Sequence, residues 1–208
     1  YDISSIFFQN KTSLIPRKLF LTLGSKFDYH YFTDFEYQPT ARISYMPTKN
    51  HNLWSSISRA VRTPTRGERG LTLTGPYSGV GTTFITQEGE QNYDSEKLIA
   101  YEVGYKYQLP NRLSFDITGF YNDYDELRSF YQDGTRFIAI NNGKGEGYGF
   151  EVSSVLEILK NWRLSSSYSF FRFDVRNDPS LSYIGDSENN EGIIPVSYTH
   201  LTLPTKEG

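Results

Sequence analysis

Residues 98 to 109, LIAYEVGYKYQL, divide by parity into two unlike sets. Ile99, Tyr101, Val103, Tyr105, Tyr107 and Leu109 form one; Leu98, Ala100, Glu102, Gly104, Lys106 and Gln108 form the other. Successive side chains of a strand point to opposite faces, so this period of two predicts a strand with one apolar, aromatic face and one mostly small or charged face. The apolar parity persists for about 11 residues, the length a tilted strand needs to cross a bilayer. The pattern recurs. Leu19, Leu21, Leu23, Phe27 and Tyr29 oppose Lys18, Thr22, Gly24, Lys26 and Asp28. Leu113, Phe115, Ile117 and Tyr121 oppose Ser114, Asp116, Thr118 and Asn122. Tyr148, Phe150, Val152, Leu156 and Ile158 oppose Gly149, Glu151, Ser153 and Glu157, and Trp162, Leu164, Tyr168 and Phe170 oppose Arg163, Ser165, Ser167 and Ser169. Residues 3–11, 41–46 and 53–62 are weaker examples.

These segments predict about eight strands, most longer than the roughly five to six residues usual in soluble sheets. Short turns at 47–50, 110–112 and 160–161 alternate with longer connections at 63–95, about 129–136 and 176–194. Short turns at one end and long loops at the other are the pattern of a transmembrane barrel. Tyr45, Tyr105 and Tyr107 precede short turns, and Trp54 and Trp162 follow them, where an interfacial aromatic girdle belongs. Trp54 is the imperfect case, because its parity opposes Leu53 and Ile57 and turns it toward the lumen. The predicted fold is all-β: an antiparallel transmembrane β-barrel fragment of about eight meandering strands, paired in sequence order. Ile99, Tyr101, Val103, Leu113, Phe115, Ile117, Phe150, Val152 and Leu164 are expected on the lipid side, and Glu102, Lys106, Asp116, Glu151 and Arg163 on the inner side.

Composition narrows the function classes. The chain has 208 residues, 21 basic and 24 acidic, so no positive excess favours nucleic acid. There is no Cys, which removes disulfides and thiolate metal sites. The three histidines, His30, His51 and His200, lack metal-ligand spacing. Aromatic residues make up 16% of the chain. Yet mean hydropathy is −0.54 and no apolar run has the length of a membrane helix. A soluble β-sandwich and a membrane barrel both fit these figures; the strand lengths and loop asymmetry favour the barrel.

SSISRAVRTPTRGERG, residues 55–70, carries Arg59, Arg62, Arg66 and Arg69 at helical spacing. Pro64, Gly67 and Gly70 break such a helix, and Thr63 is pushed extended by the following proline. The stretch is therefore a strand ending near Arg62 that opens into the long connection 63–95. Its arginines emerge at the loop-bearing rim, away from the bilayer centre, where Arg would cost about 2–4 kcal/mol. Within the connection, Tyr77, Phe84 and Tyr93 lie among Gly, Ser and Thr. Rings near Arg66 and Arg69 suit an anionic, ring-bearing chelate, with Arg62 as the inward-facing arginine of the strand end. The candidate ligand-binding residues are thus Arg62, Arg66, Arg69, Tyr77, Phe84 and Tyr93. Two alternatives stand beside this: a mobile lid with no specific contacts, and an Arg62 that merely pairs with a carboxylate on a neighbouring strand.

Other motifs carry no chemistry. GKGEGYG, residues 143–149, lacks the helix and Gly-Lys-Ser/Thr of a phosphate loop, and its glycines are expected to relieve crowding in a curved wall. Asp123, Asp125 and Glu126 have neither EF-hand spacing nor a partnered His or Lys and are expected at a solvated strand end. No nucleophile elbow, triad or zinc motif is present, so no enzymatic activity and no cofactor are expected. The opening YDISSIFFQNK starts within a strand pattern, without a signal peptide. VSYTHLTLPTK, residues 196–206, resembles a translated sequencing-library adapter. The organisation expected is a partial barrel over 1–195 with a non-native tail over 196–208.

SRAVRTPTRGE resembles the strand-to-loop signature of TonB-dependent outer-membrane receptors, and SEKLIAYEVGYKYQL resembles the strand after the long loop in that family. LTLGSKFDYH, FDITGFYNDYDEL and NNGKGEGYGFEVSSVLEI resemble three further barrel segments, in the family's order. The resemblance implies a plugged barrel of about 22 strands. It implies energised uptake of a ferric siderophore, haem or cobalamin across the outer membrane of a Gram-negative bacterium. The implied partners are outer-membrane lipid, a small-molecule ligand such as a metal chelate, and TonB acting through a plug region outside this sequence. A passive porin-type barrel and a soluble β-rich binding module are the alternatives; a plug encoded upstream separates the first, detergent-dependent solubility the second.

Overall fold

The structure, a computed structural model, describes residues 3–76, 84–159, 162–176 and 192–202. Its elements are β1 (Ile3–Ile15), β2 (Leu19–His30), β3 (Asp34–Tyr45), β4 (His51–Arg62), α1 (Arg66–Gly70), β5 (Thr72–Pro76), β6 (Phe84–Glu88), β7 (Glu96–Leu109), β8 (Leu113–Asp133), β9 (Arg136–Leu159), β10 (Trp162–Arg176) and β11 (Gly192–Thr202). The wall is one open sheet in the order β1-β2-β3-β4-β7-β8-β9-β10-β11, with each neighbouring pair antiparallel. The predicted meander is therefore present. β5 and β6 leave that path as a hairpin inside the long connection, and β6 adds to β9 in parallel over three rungs, Thr86↔Arg136 to Glu88↔Ile138. This is a loop hairpin laid on a strand top, not a βαβ crossover.

Register fixes the two faces. Val103 pairs with Gly119, which pairs with Phe150, which pairs with Phe170; Tyr105, Ile117, Val152 and Tyr168 form the next row. Glu102, Phe120, Gly149 and Phe171 share the opposite face, as do Lys106, Asp116, Ser153 and Ser167. The two sets of residues expected on lipid and lumen thus lie on opposite sides of the sheet. Among the described residues nothing packs on the apolar face. The buried hydrophobic residues among those described are Tyr93, Phe137 and Ala139, all at the long-loop end, while Val103 is 62% exposed. A soluble sheet needs a second layer to bury such a face; a coreless sheet leaves that role to lipid. Val103→Arg in the full-length receptor is expected to cost about 2–4 kcal/mol of folding stability in lipid vesicles, and Thr118→Arg, between Asp116 and Glu151, far less. Urea titration checks this, and equal costs would put both faces in the same solvent.

Near the short turns the aromatic belt is present. His51 Nδ1 lies 2.8 Å from the Tyr105 hydroxyl and its ring 4.8 Å from that of Tyr107. Trp54 falls on the polar face, as its parity indicated. It covers Gly104, where a Cβ would collide with the indole, and Arg42 stacks on it at 3.9 Å.

The connection expected at 129–136 does not exist as a loop. β8 and β9 run on as 21- and 24-residue strands to a tight turn at Gly134, whose φ is +61°. Alternation is lost there because the register shifts between Tyr124 and Leu127 and again before Ser129, with Glu126 at φ +57°. The carboxylates of this region are ion-paired across strands: Lys97 to Glu126 at 2.6 Å and Lys144 to Asp125 at 3.4 Å.

β3 begins at Asp34, seven residues before the predicted 41–46 segment (41 − 34 = 7). Pro39 explains both facts. It lacks an N–H, so a proline inside a central strand argues against pairing on both sides. Below it β3 pairs with β4 from Tyr45↔Leu53 to Thr40↔Ser58; above it that ladder stops. β2 still follows β3 to His30↔Asp34, and β7 follows β4 to Arg62↔Glu96.

Gly145, Gly147 and Gly149 remain in continuous strand within β9. Phe120, Tyr124, Phe171 and Phe173 lie over this strip, with Phe120 and Phe171 6.0 Å apart and Tyr124 edge-on to Phe173 at 5.5 Å. A Cβ at Gly147 would lie 3.2 Å from both Phe171 and Phe173. The glycines make room for rings, the arrangement by which aromatics cover glycines in curved sheets.

Candidate ligand-binding rim

Strand β4 delivers Arg62 to the top of the wall, directly opposite Glu96 of β7. Two residues of buffer, Thr63 and the buried Pro64, lead to Thr65, which caps α1. Thr65 and Glu68 form a reciprocal capping box: the Thr65 backbone N–H donates to Glu68 Oε2 at 2.8 Å, and the Glu68 N–H donates to the Thr65 hydroxyl at 3.4 Å. That fixes the Glu68 carboxylate, only 5% exposed, against Arg62. Arg62 divides its guanidinium between two acids. Nη2 and Nη1 donate to Glu68 at 2.9 and 3.2 Å, and Nε donates to Glu96 at 2.7 Å. Arg128 of β8 joins from the other side, 3.6 Å from Glu68, while its backbone N–H donates to Glu96 at 3.0 Å.

The electrostatics follow from this geometry. Burial alone would raise the Glu68 carboxyl, but hydrogen bonds from Arg62 and Thr65 outweigh it and hold it below the usual range. The hydrogen bonds that Arg62 donates to Glu96 and then to Glu68 push its guanidinium further up. Tyr93 and Ser95 are fully enclosed beneath the connection; burial, then the negative Glu68 and Glu96, raise the Tyr93 phenol.

The connection is tied at its far end too. Arg136 grips Glu88 of β6 with both Nε and Nη2, the former at 3.1 Å. Gly89 passes so close to α1 that a Cβ there would lie 2.6 Å from the Gly67 carbonyl and the Gly70 nitrogen. Arg69 donates to the Phe32 carbonyl in the turn between β2 and β3, with its guanidinium 5.6 Å from the Phe32 ring centre. Arg59 points to the other face and donates to the Tyr37 carbonyl.

The six candidate residues therefore separate. Arg62 takes the carboxylate-pairing role that was the alternative reading. Arg66 opens α1 and is exposed. Arg69 is engaged with Phe32, and Tyr93 is a buried support rather than a surface. Phe84 begins β6, with its side chain outside the described residues, as is the whole of Tyr77. Glu68, Glu96 and Arg128 were not among the candidates. The Thr65-x-x-Glu68 spacing is a capping-box signal that pointed to the first of them. Among the described residues no group of acidic, His or Cys side chains is arranged to hold a metal ion.

A two-faced meander of long strands with no core on its apolar face among the described residues, and with a charged connection at one end, is the wall of a transmembrane β-barrel. More narrowly, the chain belongs to the family of TonB-dependent receptors: the family model described as TonB dependent receptor-like, beta-barrel matches residues 1–199. Members of this family are Gram-negative outer-membrane transporters, not enzymes. Among solved structures, the chain is similar to the siderophore receptor PirA from Pseudomonas aeruginosa, with a TM-score of 0.71 at 17% identity over 96% of this chain and 41% of that one. A mutant of the ferric enterobactin receptor PfeA from Pseudomonas aeruginosa gives 0.70 at 17% identity, covering 93% of this chain and 32% of that one. The FrpB iron transporter from Neisseria meningitidis gives 0.64 at 14% identity, covering 88% and 28%. The chain thus spans about two fifths or less of the length of these structures. None of the curated protein sequences compared with it matches.

Proposed function

We propose that the chain forms part of the wall and mouth of an outer-membrane receptor that takes up a scarce, bulky ligand of the ferric-siderophore type. Energy comes from TonB acting through a plug region outside this sequence. The observation that supports this reading is the family match joined to the described part of the rim, where α1 and the β5–β6 hairpin bring Arg62, Arg66 and Arg69 to the long-loop end of the wall. In this reading Arg62, Arg66 and Arg69 supply positive potential at the mouth, Tyr77 and Phe84 supply ring surface, and Tyr93 braces the connection from below. Arg66 is the exposed first contact. A passive porin-type barrel lacks any need for TonB, which makes the two readings separable.

The test is uptake. The full-length receptor, expressed in a Gram-negative strain lacking its own ferric-siderophore receptors, is expected to import a labelled ferric chelate, and deletion of TonB is expected to stop it. Import that persists without TonB points to the porin reading. Failure to import catecholate and hydroxamate iron chelates, haem and cobalamin alike overturns the ligand class. Replacing Arg62, Arg66 and Arg69 by Ala together is expected to weaken ligand affinity more at low than at high salt.

A further inference from the structure

Above the row Thr40↔Ser58 the wall is split. The upper halves of β1, β2 and β3 (residues 3–8, 25–30 and 34–39) pair with one another, and β4 pairs with β7, but β3 and β4 share no rung there. Backbone groups left without a strand partner in the middle of a sheet are costly unless something else meets them. Here Arg59 meets one such group, and Arg69 holds the hairpin turn above it. Arg59 of β4 reaches across the seam, donates to the Tyr37 carbonyl, lies 4.6 Å from the Tyr37 ring centre, and places Nη2 3.5 Å from Glu36. Its side chain is 18% exposed, so it is packed into the seam. Arg69 of α1 treats Phe32 alike, holding its carbonyl and stacking on its ring. Each arginine thus grips one residue of the β2–β3 hairpin at two points. A planar, five-donor guanidinium suits that task and a lysine ammonium does not.

The foot of the seam is a close-packed row that can serve as a pivot. Gly24 of β2 is the partner of Thr40, and Pro39 is the next residue of β3. A Cβ at Gly24 would lie 3.0 Å from the Phe8 carbonyl and 3.3 Å from Thr40 Cγ2, so the row is held at its closest approach by a residue without a side chain. We propose that the seam between β3 and β4 opens above the Gly24–Pro39–Thr40 row, that the β3 side, with β1, β2 and the wall continuing beyond them, swings from β4 as a flap, and that Arg59 and Arg69 are its two clasps. Opening separates β3 from β4 at the rim and leaves the lower wall closed. The long connection, carried by β4 and β7, stays with the other block, so the flap moves relative to α1. The device is a two-state element whose closed form is held by side chains instead of a ladder. It stands whatever ligand the receptor carries.

The test is a pair of distances in the full-length receptor in outer-membrane vesicles. This chain has no cysteine, and any cysteine elsewhere in the receptor is first replaced by serine, so that introduced thiols label cleanly. Spin labels at Phe35→Cys, above the seam on β3, and at Tyr148→Cys, a fixed reference on β9 one row below the foot of the seam, form the upper pair; labels at Ile43→Cys and Phe150→Cys, which share a lower row of the same two strands, form the lower pair. All four positions are at least 40% exposed. With the clasps intact, one dominant distance is expected for each pair. Arg59→Ala with Arg69→Ala is expected to add a longer distance to the upper pair, raising the open population on the order of tenfold or more, with the lower pair unchanged. Arg59→Lys with Arg69→Lys, which keeps the charge, is expected to open it as well. An upper pair that keeps its single distance overturns the proposal. So does broadening of both pairs together, which would make the arginines general supports of the wall.

Discussion

Replacing Glu68 by alanine is expected to free the connection between β4 and β7 while leaving the wall folded. The substitution removes the carboxylate half of the capping box, in which Glu68 accepts from the Thr65 N–H, while the backbone N–H of residue 68 still donates to the Thr65 hydroxyl; the lost half is worth about 0.5–1 kcal/mol. It also removes one of the two acids on Arg62 and the acid facing Arg128. Breaking a buried pair costs about 3–5 kcal/mol when it strands a charge. Arg62 keeps Glu96 and its side chain is 44% exposed, so water recovers much of that term. A local loss of about 2–3 kcal/mol is the result. Amide exchange over α1 and the residues leading to β7 should accelerate on the order of tenfold to a hundredfold, with β7 to β10 unaffected. Unchanged exchange would mean that the hairpin β5–β6 alone holds the connection. The same carboxyl gives a pH signature. Its folded value lies below the ordinary value of 4.5, so the stabilisation is complete above that pH and is lost as pH falls through the depressed value. Protection of the connection should therefore fade under acid, and Glu68→Gln should abolish that step.

Gly149→Val is expected to have the larger effect, because the obstacle is backbone. A Cβ there would overlap the Phe170 carbonyl of β10 and lie 2.9 Å from the Phe120 ring. A ring end can swing away; a carbonyl in a strand ladder cannot move without shifting β10. The cost is about 3 kcal/mol or more, enough to deplete the folded receptor in the membrane. Gly104→Ala tests the contrast, since only the Trp54 side chain obstructs it. Heat-modifiable migration on gels reads both: Gly149→Val should lose the folded band, and Gly104→Ala should retain most of it. Equal bands would show that β9 and β10 can part at this row without loss.

The wall was legible in the sequence because lipid and lumen impose unlike chemistry on alternate residues, and β7 shows it most plainly. Legibility failed where that contrast lapses. Beyond Tyr124 both faces meet water and the bulges before Ser129 shift the phase, so strands of 21 and 24 residues look shorter than they are. In β3, Pro39 masked six residues that pair on one side only. The arginines of 55–70 were placed correctly at the rim, but their partners were not readable. Glu96 meets Arg62, and Arg128 meets Glu68 and Glu96, only because three strands converge there, which is tertiary information. Arg59 and Arg69 hold carbonyls, and a carbonyl leaves no mark in a sequence.

The long β8–β9 hairpin has a consequence for how such a receptor meets its surroundings. A strand needs about 9–11 residues to cross the bilayer, so roughly ten residues of each strand, near 30 Å, stand beyond it. Such a projecting hairpin is a protein surface that an antibody or an adsorbing phage would reach. Its tip is fixed by the Arg136–Glu88 grip and three rungs with β6. The epitope is therefore assembled from two distant stretches of chain. A linear peptide copied from residues 127–142 would present neither the shape nor the neighbour, and antisera raised against it should recognise the denatured receptor far better than intact cells.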